Sequence, residues 1–254
     1  MASGRLFIVG TPIGNMEDIT LRALRVLRET SLVAAEDTRH TGLLLARHSI
    51  KKPLVSYHEF NEAKRTAELL KELQQGRSIA LVSDAGMPTV SDPGQRLIRA
   101  AIDAGIAVEV IPGVSAITMA WVIGGFPALG RARPPGAPHS DCDGRPGGPS
   151  LPLPKSGGFL FYGFLPHKSG QRQNALTRLA PLPWSLVFFE SPYRLVKSLQ
   201  AMHDQLGNRP AVVARELTKK FEEILRGDLA AILKKLENRS IKGEITVIVE
   251  GNRE

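Results

Sequence analysis

Ionisable residues gather in turns that directly follow predicted strands. Glu36, Asp37, Arg39 and His40 crowd together after the second predicted strand, and His58 follows the third. A carboxylate or an imidazole in such a turn can assist removal of a proton, and a guanidinium can bind a phosphate. The alternatives are a helix cap with surface charges for the first group and a structural histidine at position 58.

The loop Ser83–Gly94, with the sequence SDAGMPTVSDPG, lies between a strand pattern and a helix pattern. Its two glycines, two prolines and two aspartates indicate a rigid loop that holds carboxylates at the carboxyl end of a strand. Such a loop suits a ligand with cationic and hydroxyl groups, such as an amino-acid head and a ribose. The alternative for Asp92 alone is that it caps the next helix.

Two further turns follow predicted strands, Gly10–Asn15 (GTPIGN) and Ile111–Ala116 (IPGVSA). The first is not the GxGxxG dinucleotide fingerprint, and Pro12 removes a backbone donor, so a phosphate cradle is disfavoured. In the second turn, Ser115 either caps the following helix or presents its hydroxyl to a ligand.

Short apolar runs alternate with amphipathic segments on both sides of a segment rich in proline and glycine. This pattern predicts an α/β fold with an N-terminal domain over residues 1–126 and a C-terminal domain over 158–254. The N-terminal sheet is expected to be mainly parallel and the C-terminal sheet mixed. Residues 127–157 contain no Val, Ile, Phe, Tyr or Trp and are predicted to form a disordered linker or an insertion.

The composition narrows the function classes. The 254 residues are 43% hydrophobic, with no apolar run near the ~20 residues that cross a bilayer, so a cytoplasmic protein without membrane contact is expected. A single cysteine excludes an internal disulfide and a cysteine-based zinc site, and we predict no metal. The net charge of +8 favours a polyanion as partner. Candidate RNA-binding residues, for which a solvated basic face is the alternative, are Lys168, Arg172, Arg194, Arg215 and Lys220.

Nine segments occur in the order of one known family. They are GTPIGN, EDTRHT, YHEFNE, SDAGMPTVSDPG, VIPGVSA, GFLPHK, FFESPYR, ARELTKKFEE and KGEITVIVEG. With them the chain resembles the ribosomal RNA small-subunit methyltransferase I family of the tetrapyrrole-methylase-like superfamily. The resemblance spans nearly the whole chain except residues 128–157.

The resemblance implies 2′-O-methylation of a cytidine in 16S ribosomal RNA, free or in the small ribosomal subunit, by a homodimer. It also implies S-adenosylmethionine as cofactor, in the cleft between two α/β domains. The residues that it assigns to this cofactor, with Leu217 facing the adenine, are Pro12, Asp84, Ala85, Gly86, Met87, Val90, Ser115, Ala116 and Leu217. Our candidates beside the methyl acceptor are Asp37, Arg39, His58, Glu190 and Lys219.

Other functions remain open at this point. Tetrapyrrole relatives typically have Gly-Asp-Pro where this chain has Gly86-Met87-Pro88, which favours the RNA branch over a porphyrinoid methyltransferase. A catalytically impaired RNA-binding homologue is a non-enzymatic alternative. An ordinary nucleotide-binding domain is a weaker one, because the glycine-rich phosphate-binding patterns are missing.

Overall fold

The computed structural model describes residues 4–125 and 158–252. The chain divides into two compact units. Unit 1 comprises Met1–Met119 and Leu217–Lys220, and unit 2 comprises Ala120–Glu216 and Phe221–Glu254. The predicted linker over 127–157 lies outside the described residues, and the domain boundary at residue 126 stays a prediction.

Unit 1 is built on a parallel sheet. Its strands are β1 (Arg5–Val9), β2 (Leu32–Ala35), β3 (Leu54–Ser56), β4 (Ile79–Val82) and β5 (Ala107–Ile111). Their order is β3-β2-β4-β1-β5, and all four pairings are parallel, as the strand–helix alternation predicted. In β2 and β4 every residue is buried, because a central strand of such a sheet is covered on both faces.

Helices cover both faces of this sheet. The helices of unit 1 are α1 (Leu21–Glu29), α2 (Thr38–Arg47), α3 (Glu62–Gln74) and α4 (Gln95–Asp103), and α5 (Ala116–Gly124) begins in this unit. Alternate residues of β4 face opposite sides of the sheet. Ile79 and Leu81 pack in a core with α3 and α4, whereas Ala80 and Val82 pack in a core with α1 and α2.

The helix starts depend on local hydrogen bonds. Thr20 caps α1, since its side chain accepts a hydrogen bond of 3.0 Å from the Ala23 amide. Asp37 caps α2, since its side chain accepts a hydrogen bond from the Arg39 backbone amide, and the helix begins at Thr38. Gly94, with a φ of +138°, occupies the cap position of α4, so the alternative that Asp92 caps this helix is wrong.

Unit 2 contains a mixed sheet with its helices packed on one core. The strands are β6 (Phe159–Phe164), β7 (Ser185–Glu190), β8 (Pro210–Arg215), β9 (Glu223–Asp228) and β10 (Ile245–Val249), in the order β6-β7-β10-β8-β9. Among the described strands of this sheet, β6 and β7 pair in parallel and the other three pairs are antiparallel, which confirms the predicted mixed sheet. The helices are α6 (Ser169–Leu179), α7 (Leu195–Leu206) and α8 (Leu229–Leu236).

The core of unit 2 forms where these helices meet alternate strand residues such as Phe188, Val213 and Val247. Helix α6 begins at Ser169, and its first two turns are mainly polar, so the sequence shows no apolar stripe there. Within residues 4–125 and 158–252, no helix is both long enough and apolar enough to span a membrane.

Leu81 offers a test of the unit 1 core, since it is 1% exposed at the centre of β4. We expect Leu81→Ala to lower the free energy of unfolding by about 3 kcal/mol, because it leaves a cavity between the sheet and α3. The matched control is Leu21→Ala, at a residue 87% exposed, with an expected change under about 0.5 kcal/mol. Urea unfolding of both variants measures the difference, and equal midpoints would contradict the packing.

Candidate functional site

The five strands of unit 1 end at one edge of the sheet, because they are parallel. Ligands of open α/β sheets bind outside this edge, where the loops carry the chemistry. The segments that follow the strands here are residues 10–15, 36–37, 57–61, 83–94 and 112–115. Each is a segment that the sequence singled out, so the fold brings those candidates of unit 1 to one place.

Backbones after β1 and β5 approach each other at Gly10 and Gly113. The Gly10 amide donates to the Ile111 carbonyl at 3.0 Å. A Cβ placed on Gly113 would lie 2.7 Å from Gly10 Cα, and one on Gly10 would lie 2.6 Å from Met87 Sδ. Real side chains do not tolerate such distances, so the approach requires glycine at both positions.

The turn after β4 joins the same structure through a short antiparallel bridge. The Thr11 amide donates to the Gly86 carbonyl at 2.9 Å, and the Gly86 amide donates back at 3.1 Å. Gly86 has a φ of +79°, which favours glycine, and a Cβ there would lie 3.4 Å from the Val114 carbonyl oxygen. The turns Ser83–Gly94 and Ile111–Ala116 therefore meet at the sheet edge.

Most of the predicted cofactor residues line this meeting point. Pro12 and Asp84 border one small depression, while Ala85 and Met87 are half-buried beside Gly86. Val90 is 37% exposed farther along the same loop. The Ser115 carbonyl accepts the first hydrogen bond of α5, from Met119 at 3.0 Å, so Ser115 holds the cap position with Ala116 after it.

Leu217 also belongs to unit 1, although the sequence placed it in the C-terminal domain. The reason is the packing of its segment on the first turn, where the Thr218 hydroxyl accepts a hydrogen bond of 3.0 Å from the Asn15 amide. Gly14 has no room for a side chain, since a Cβ there would collide with Lys219. Leu217 and Lys219 are thus held against the loop that contains Pro12.

Asp37 is held by an ion pair. Its carboxylate accepts from the Arg39 backbone amide at 2.8 Å and from the Arg39 guanidinium at 2.6 Å. These hydrogen bonds hold the pKa of Asp37 well below its usual range, so the carboxylate is a poor proton acceptor. Asp84 accepts from the Asp37 backbone amide at 3.0 Å and lies 3.8 Å from His40 Nδ1.

Glu36 and Asp92, which the sequence analysis noted without assigning them to the cofactor or the acceptor, lie at the same edge. Burial, and then the charge of Asp84, raise the pKa of Glu36. Burial, followed by the charge of Glu36, raises the pKa of Asp92 to about 6, although a hydrogen bond with Ser83 opposes the change. No sequence signal marks such a shift, because it depends on burial and on neighbours from other loops.

An open pocket lies beside these carboxylates in unit 1. Glu36, His58, Phe60 and Asp92 are among its lining residues. Glu62, at the start of α3, fixes the end of the neighbouring loop, since its carboxylate accepts from the Gly94 amide at 3.1 Å and from the Tyr57 hydroxyl at 3.1 Å. The pocket walls are therefore anchored to the helix layer.

Glu190 lies in unit 2 and is 3% exposed. Its carboxylate accepts from the Ser191 amide at 2.8 Å and from the Ser198 hydroxyl, and it lies 3.4 Å from the Arg194 guanidinium. A buried carboxylate with these partners organises the start of α7. This position suits a structural carboxylate better than a base.

The predicted RNA-binding residues of unit 2 differ in what their side chains contact. Arg194 donates to the Leu165 carbonyl, Arg172 donates to the His167 carbonyl at 3.2 Å, and Arg215 pairs with Glu223 at 3.1 Å. These contacts fix the guanidinium groups without assigning them to RNA. The two predicted lysines, Lys168 and Lys220, are exposed. Lys220 belongs to unit 1 rather than unit 2.

Among the described residues, no group of three or more His, Cys, Asp or Glu side chains has an arrangement that could hold a metal ion. The carboxylates at the sheet edge instead give it a negative charge and several hydrogen-bond acceptors. Such an edge suits a cationic ligand or one rich in hydrogen-bond donors.

Sequence comparison relates the chain to one group of enzymes. Residues 5–133 match the family described as Tetrapyrrole (Corrin/Porphyrin) Methylases. The ribosomal RNA small subunit methyltransferase I of Halalkalibacterium halodurans is 44% identical, over 99% of this chain and 77% of that protein. The protein of the same name from Thermotoga maritima is 42% identical, over 98% of this chain and 99% of that protein.

Solved structures share the fold at lower identity. The uroporphyrin-III C-methyl transferase of Thermus thermophilus, complexed with S-adenyl homocysteine, aligns with a TM-score of 0.61 at 20% identity, over 98% of both chains. The methyltransferase CobJ aligns with a TM-score of 0.64 at 18% identity, over 98% of this chain and 95% of that chain. At these identities the likeness establishes the α/β architecture.

Asp92 makes the stability of the protein depend on pH. Its pKa is about 6 in the folded protein against 3.8 without these surroundings, so the folded state holds its proton more tightly. Stability is therefore lost as the pH rises between these two values and stays lower above them. We expect Asp92→Asn to exceed the wild type in stability at about pH 7.5, with the gain vanishing below about pH 4.

Urea unfolding at both pH values measures this difference. The control is Asp103→Asn, which removes the same charge from the exposed surface of α4. An equal gain for Asp92→Asn at the two pH values would contradict a raised pKa.

Proposed function

Because the chain belongs to the ribosomal RNA small subunit methyltransferase I family, we propose that it methylates a ribose 2′-hydroxyl of 16S ribosomal RNA, with S-adenosylmethionine as methyl donor. The acceptor that we propose is a cytidine. One observation carries the proposal. At Gly10, Gly86 and Gly113 the backbone of one turn lies directly against a neighbouring turn, at the edge of the sheet where α/β folds of this kind bind their ligands.

The residues at this edge fit the proposed donor. S-adenosylmethionine carries a sulfonium and an ammonium group, and Glu36, Asp84 and Asp92 supply negative charge nearby. Asp84, with a side chain 41% exposed, can accept hydrogen bonds from the ammonium or the ribose hydroxyls. Pro12, Ala85 and the glycine positions leave a smooth surface on which a flat adenine or a ribose can rest. The other residues that we propose for contact with this donor are Met87, Val90, Ser115, Ala116 and Leu217.

The chain's main catalytic contribution is alignment. The bound donor supplies an electrophilic methyl group, and the ribose oxygen must meet it in line with the carbon–sulfur bond. The Thr11–Gly86 bridge and the contacts of Glu62 fix these loops, so they need no folding step when the donor binds. Alignment of two reactants in such a site lowers the activation barrier by several kcal/mol, up to about 10. Asp37 is a poor candidate for the base, because its hydrogen bonds from Arg39 lower its pKa and with it the basicity of the carboxylate.

Lys219 and Arg39 remain candidates for the acceptor side. Lys219 is held beside Gly14, and the Arg39 side chain is 89% exposed, where its remaining donors can reach a phosphate oxygen. The net charge of +8 supports binding of the RNA backbone, with an affinity that falls steeply with salt concentration. Lys168, Arg172, Arg194, Arg215 and Lys220 stay proposed RNA contacts.

The family resemblance also supports a homodimer in the cytoplasm, which sedimentation equilibrium and cell fractionation would test.

A porphyrinoid acceptor is the competing enzymatic function. The names of the two relatives from Halalkalibacterium halodurans and Thermotoga maritima favour RNA, since both are ribosomal RNA methyltransferases at more than 40% identity.

Methyl transfer from labelled S-adenosylmethionine tests the proposal directly. The acceptors are small ribosomal subunits from cells that lack this gene, compared with uroporphyrinogen. We expect label in the RNA, and a ribose-methylation map should locate it at one cytidine. Label in the porphyrinoid, at a base atom or in no RNA at all would overturn the proposal, and absence of heat on calorimetric titration with S-adenosylmethionine would favour a binding module.

Gly113→Ala tests the glycine contact on which the proposal depends. Because the added Cβ would lie 2.7 Å from Gly10 Cα, the turns after β1 and β5 must separate. We expect the dissociation constant for S-adenosylmethionine to rise at least about tenfold, equivalent to about 1.4 kcal/mol. The control is Gly170→Ala on α6, where an added Cβ meets no atom within 4 Å. Calorimetry on both variants gives the answer, and equal affinities would contradict a binding site at this contact.

A further inference from the structure

Unit 2 contains a pocket of its own. The residues that line it all belong to this unit, and most come from the end of β8, the start of β9 and the loop between α8 and β10. Among the described residues, none of those proposed for the methyl donor lines it. Its volume is about 320 Å³, at the lower end of the range for pockets that bind small molecules. The pocket therefore has room for a single nucleotide but not for a double helix.

The floor of this pocket is apolar. Leu195, Val213 and Leu236 line the pocket and also belong to the core of unit 2, where each is at most 3% exposed. Leu225 and Ile241 line it as well, and they pack half-buried against the same core. Covering such a surface with an apolar or flat part of a ligand removes it from water, which is favourable. A bare inorganic anion would leave this apolar floor uncovered.

Three charged side chains that line the pocket are joined to each other. Arg239 donates from Nη2 to both carboxylate oxygens of Glu223, at 2.8 and 3.0 Å. Arg215 donates from Nε to Glu223 at 3.1 Å, and from Nη1 to the Lys242 carbonyl at 3.1 Å. One carboxylate on β9 therefore holds a guanidinium from β8 and another from the loop after α8, and both stay at the pocket.

Arg239 keeps donors for a ligand. Its side chain is 41% exposed, so the guanidinium is open to solvent. Toward the other described residues it donates only from Nη2, which leaves the hydrogens on Nε and Nη1. A guanidinium that donates to a phosphate oxygen forms a charge-assisted hydrogen bond, which is stronger than one between neutral groups. Arg239 thus offers an anion an accessible donor whose position Glu223 fixes.

The pocket has a small excess of positive charge. Its lining residues include three cationic side chains, Arg215, Arg239 and Lys242, and two carboxylates, Glu216 and Glu223. Hydrogen bonds from Arg239, opposed by burial, lower the pKa of Glu223, so this carboxylate stays ionised at neutral pH. The single negative charge of a phosphodiester group balances the excess. A cationic ligand would add to it.

We infer that this pocket binds one unpaired nucleotide of the substrate RNA, with a phosphodiester oxygen accepting from Arg239 and the base lying on the apolar floor. The inference rests on the proposed function for the identity of the RNA. A nucleotide combines the flat ring and the negative charge that the two parts of the pocket require, and proteins that bind single-stranded RNA hold bases and backbone together in this way. An acidic peptide side chain would satisfy Arg239 but would leave the floor uncovered.

Methyl signals from the pocket floor test the inference without any catalysis. The full chain, labelled with ¹³C at the methyl groups of Ile, Leu and Val, is titrated with the dinucleotide CpC, with cytidine and with inorganic phosphate in a nuclear magnetic resonance experiment. We expect CpC to shift the signals of Leu225 and Ile241. It should bind at least about tenfold more tightly than cytidine or phosphate, equivalent to about 1.4 kcal/mol.

Three results of this titration would overturn the inference. Phosphate that binds as tightly as CpC would indicate a general anion site. Cytidine that binds as tightly as CpC would remove the contact between Arg239 and the phosphodiester. Binding of CpC that leaves the signals of Leu225 and Ile241 unchanged would place the base elsewhere.

Two substitutions that change the charge in opposite directions separate recognition from a structural role. Arg239→Gln removes a positive charge and keeps an amide that can donate to Glu223, so we expect the affinity for CpC to fall at least about fivefold. Glu223→Gln removes a negative charge and keeps an oxygen that can accept from Arg239, so we expect the affinity to rise, by about threefold. Loss of affinity in both variants would indicate that the cluster only supports the fold, and would overturn the inference.

The matched control is Lys234→Gln on α8. Lys234 is exposed and does not line the pocket, and its replacement removes the same charge as Arg239→Gln. We expect the affinity of this variant for CpC to stay within about twofold of the wild type. A loss equal to that of Arg239→Gln would reduce the effect to net charge and overturn the inference.

Methyl transfer then relates the pocket to the reaction. With small ribosomal subunits as acceptor, we expect Arg239→Gln to raise KM at least about threefold and to leave kcat within about twofold, because the contact holds the RNA equally in the ground and transition states. Equal KM values for Arg239→Gln and Lys234→Gln would overturn the inference and leave the proposed function standing. Binding of CpC in the pocket without methyl transfer to any RNA would instead overturn the proposed function, and the pocket would remain a nucleotide site.

Discussion

The absence of a Cβ at Gly10 and Gly113 is the constraint on which the site depends. It lets the backbones after β1 and β5 touch, and the Thr11–Gly86 bridge then joins the turn after β4 to the same structure. A parallel sheet brings its loops to one edge but does not by itself make them meet. Here the contact of backbone with backbone fixes three loops against each other, and the residues that line the site take their positions from that contact.

Charge is distributed unevenly over this basic protein. The chain has a net charge of +8, yet Glu36, Asp84 and Asp92 lie together at the sheet edge of unit 1. Carboxylates so placed would repel an RNA backbone and attract a sulfonium donor or the amino group of a base. The proposed reaction joins a cationic donor to a polyanionic substrate, and these carboxylates suit the donor.

The sequence predicted regular structure and the position of the main loops well, because both depend on local patterns. The fully apolar runs of β2 and β4 and the cap at Thr20 are readable from neighbouring residues. The raised pKa of Asp92 could not be predicted from the sequence, since it depends on burial and on Glu36, which is distant in sequence. The buried partners of Glu190 and the packing of Leu217 beside Gly14 also arise only when remote segments meet.

Asn61 ties the turn after β3 to the strand itself. Its side-chain oxygen accepts a hydrogen bond from the His58 backbone amide at 2.9 Å, and its side-chain nitrogen donates to the Ser56 carbonyl at 3.2 Å. An aspartate has nearly the same shape, but it would set an oxygen against the Ser56 carbonyl, where two acceptors cannot pair. The path of the backbone after β3 therefore depends on which of two similar atoms the side chain carries, a distinction that its outline does not reveal.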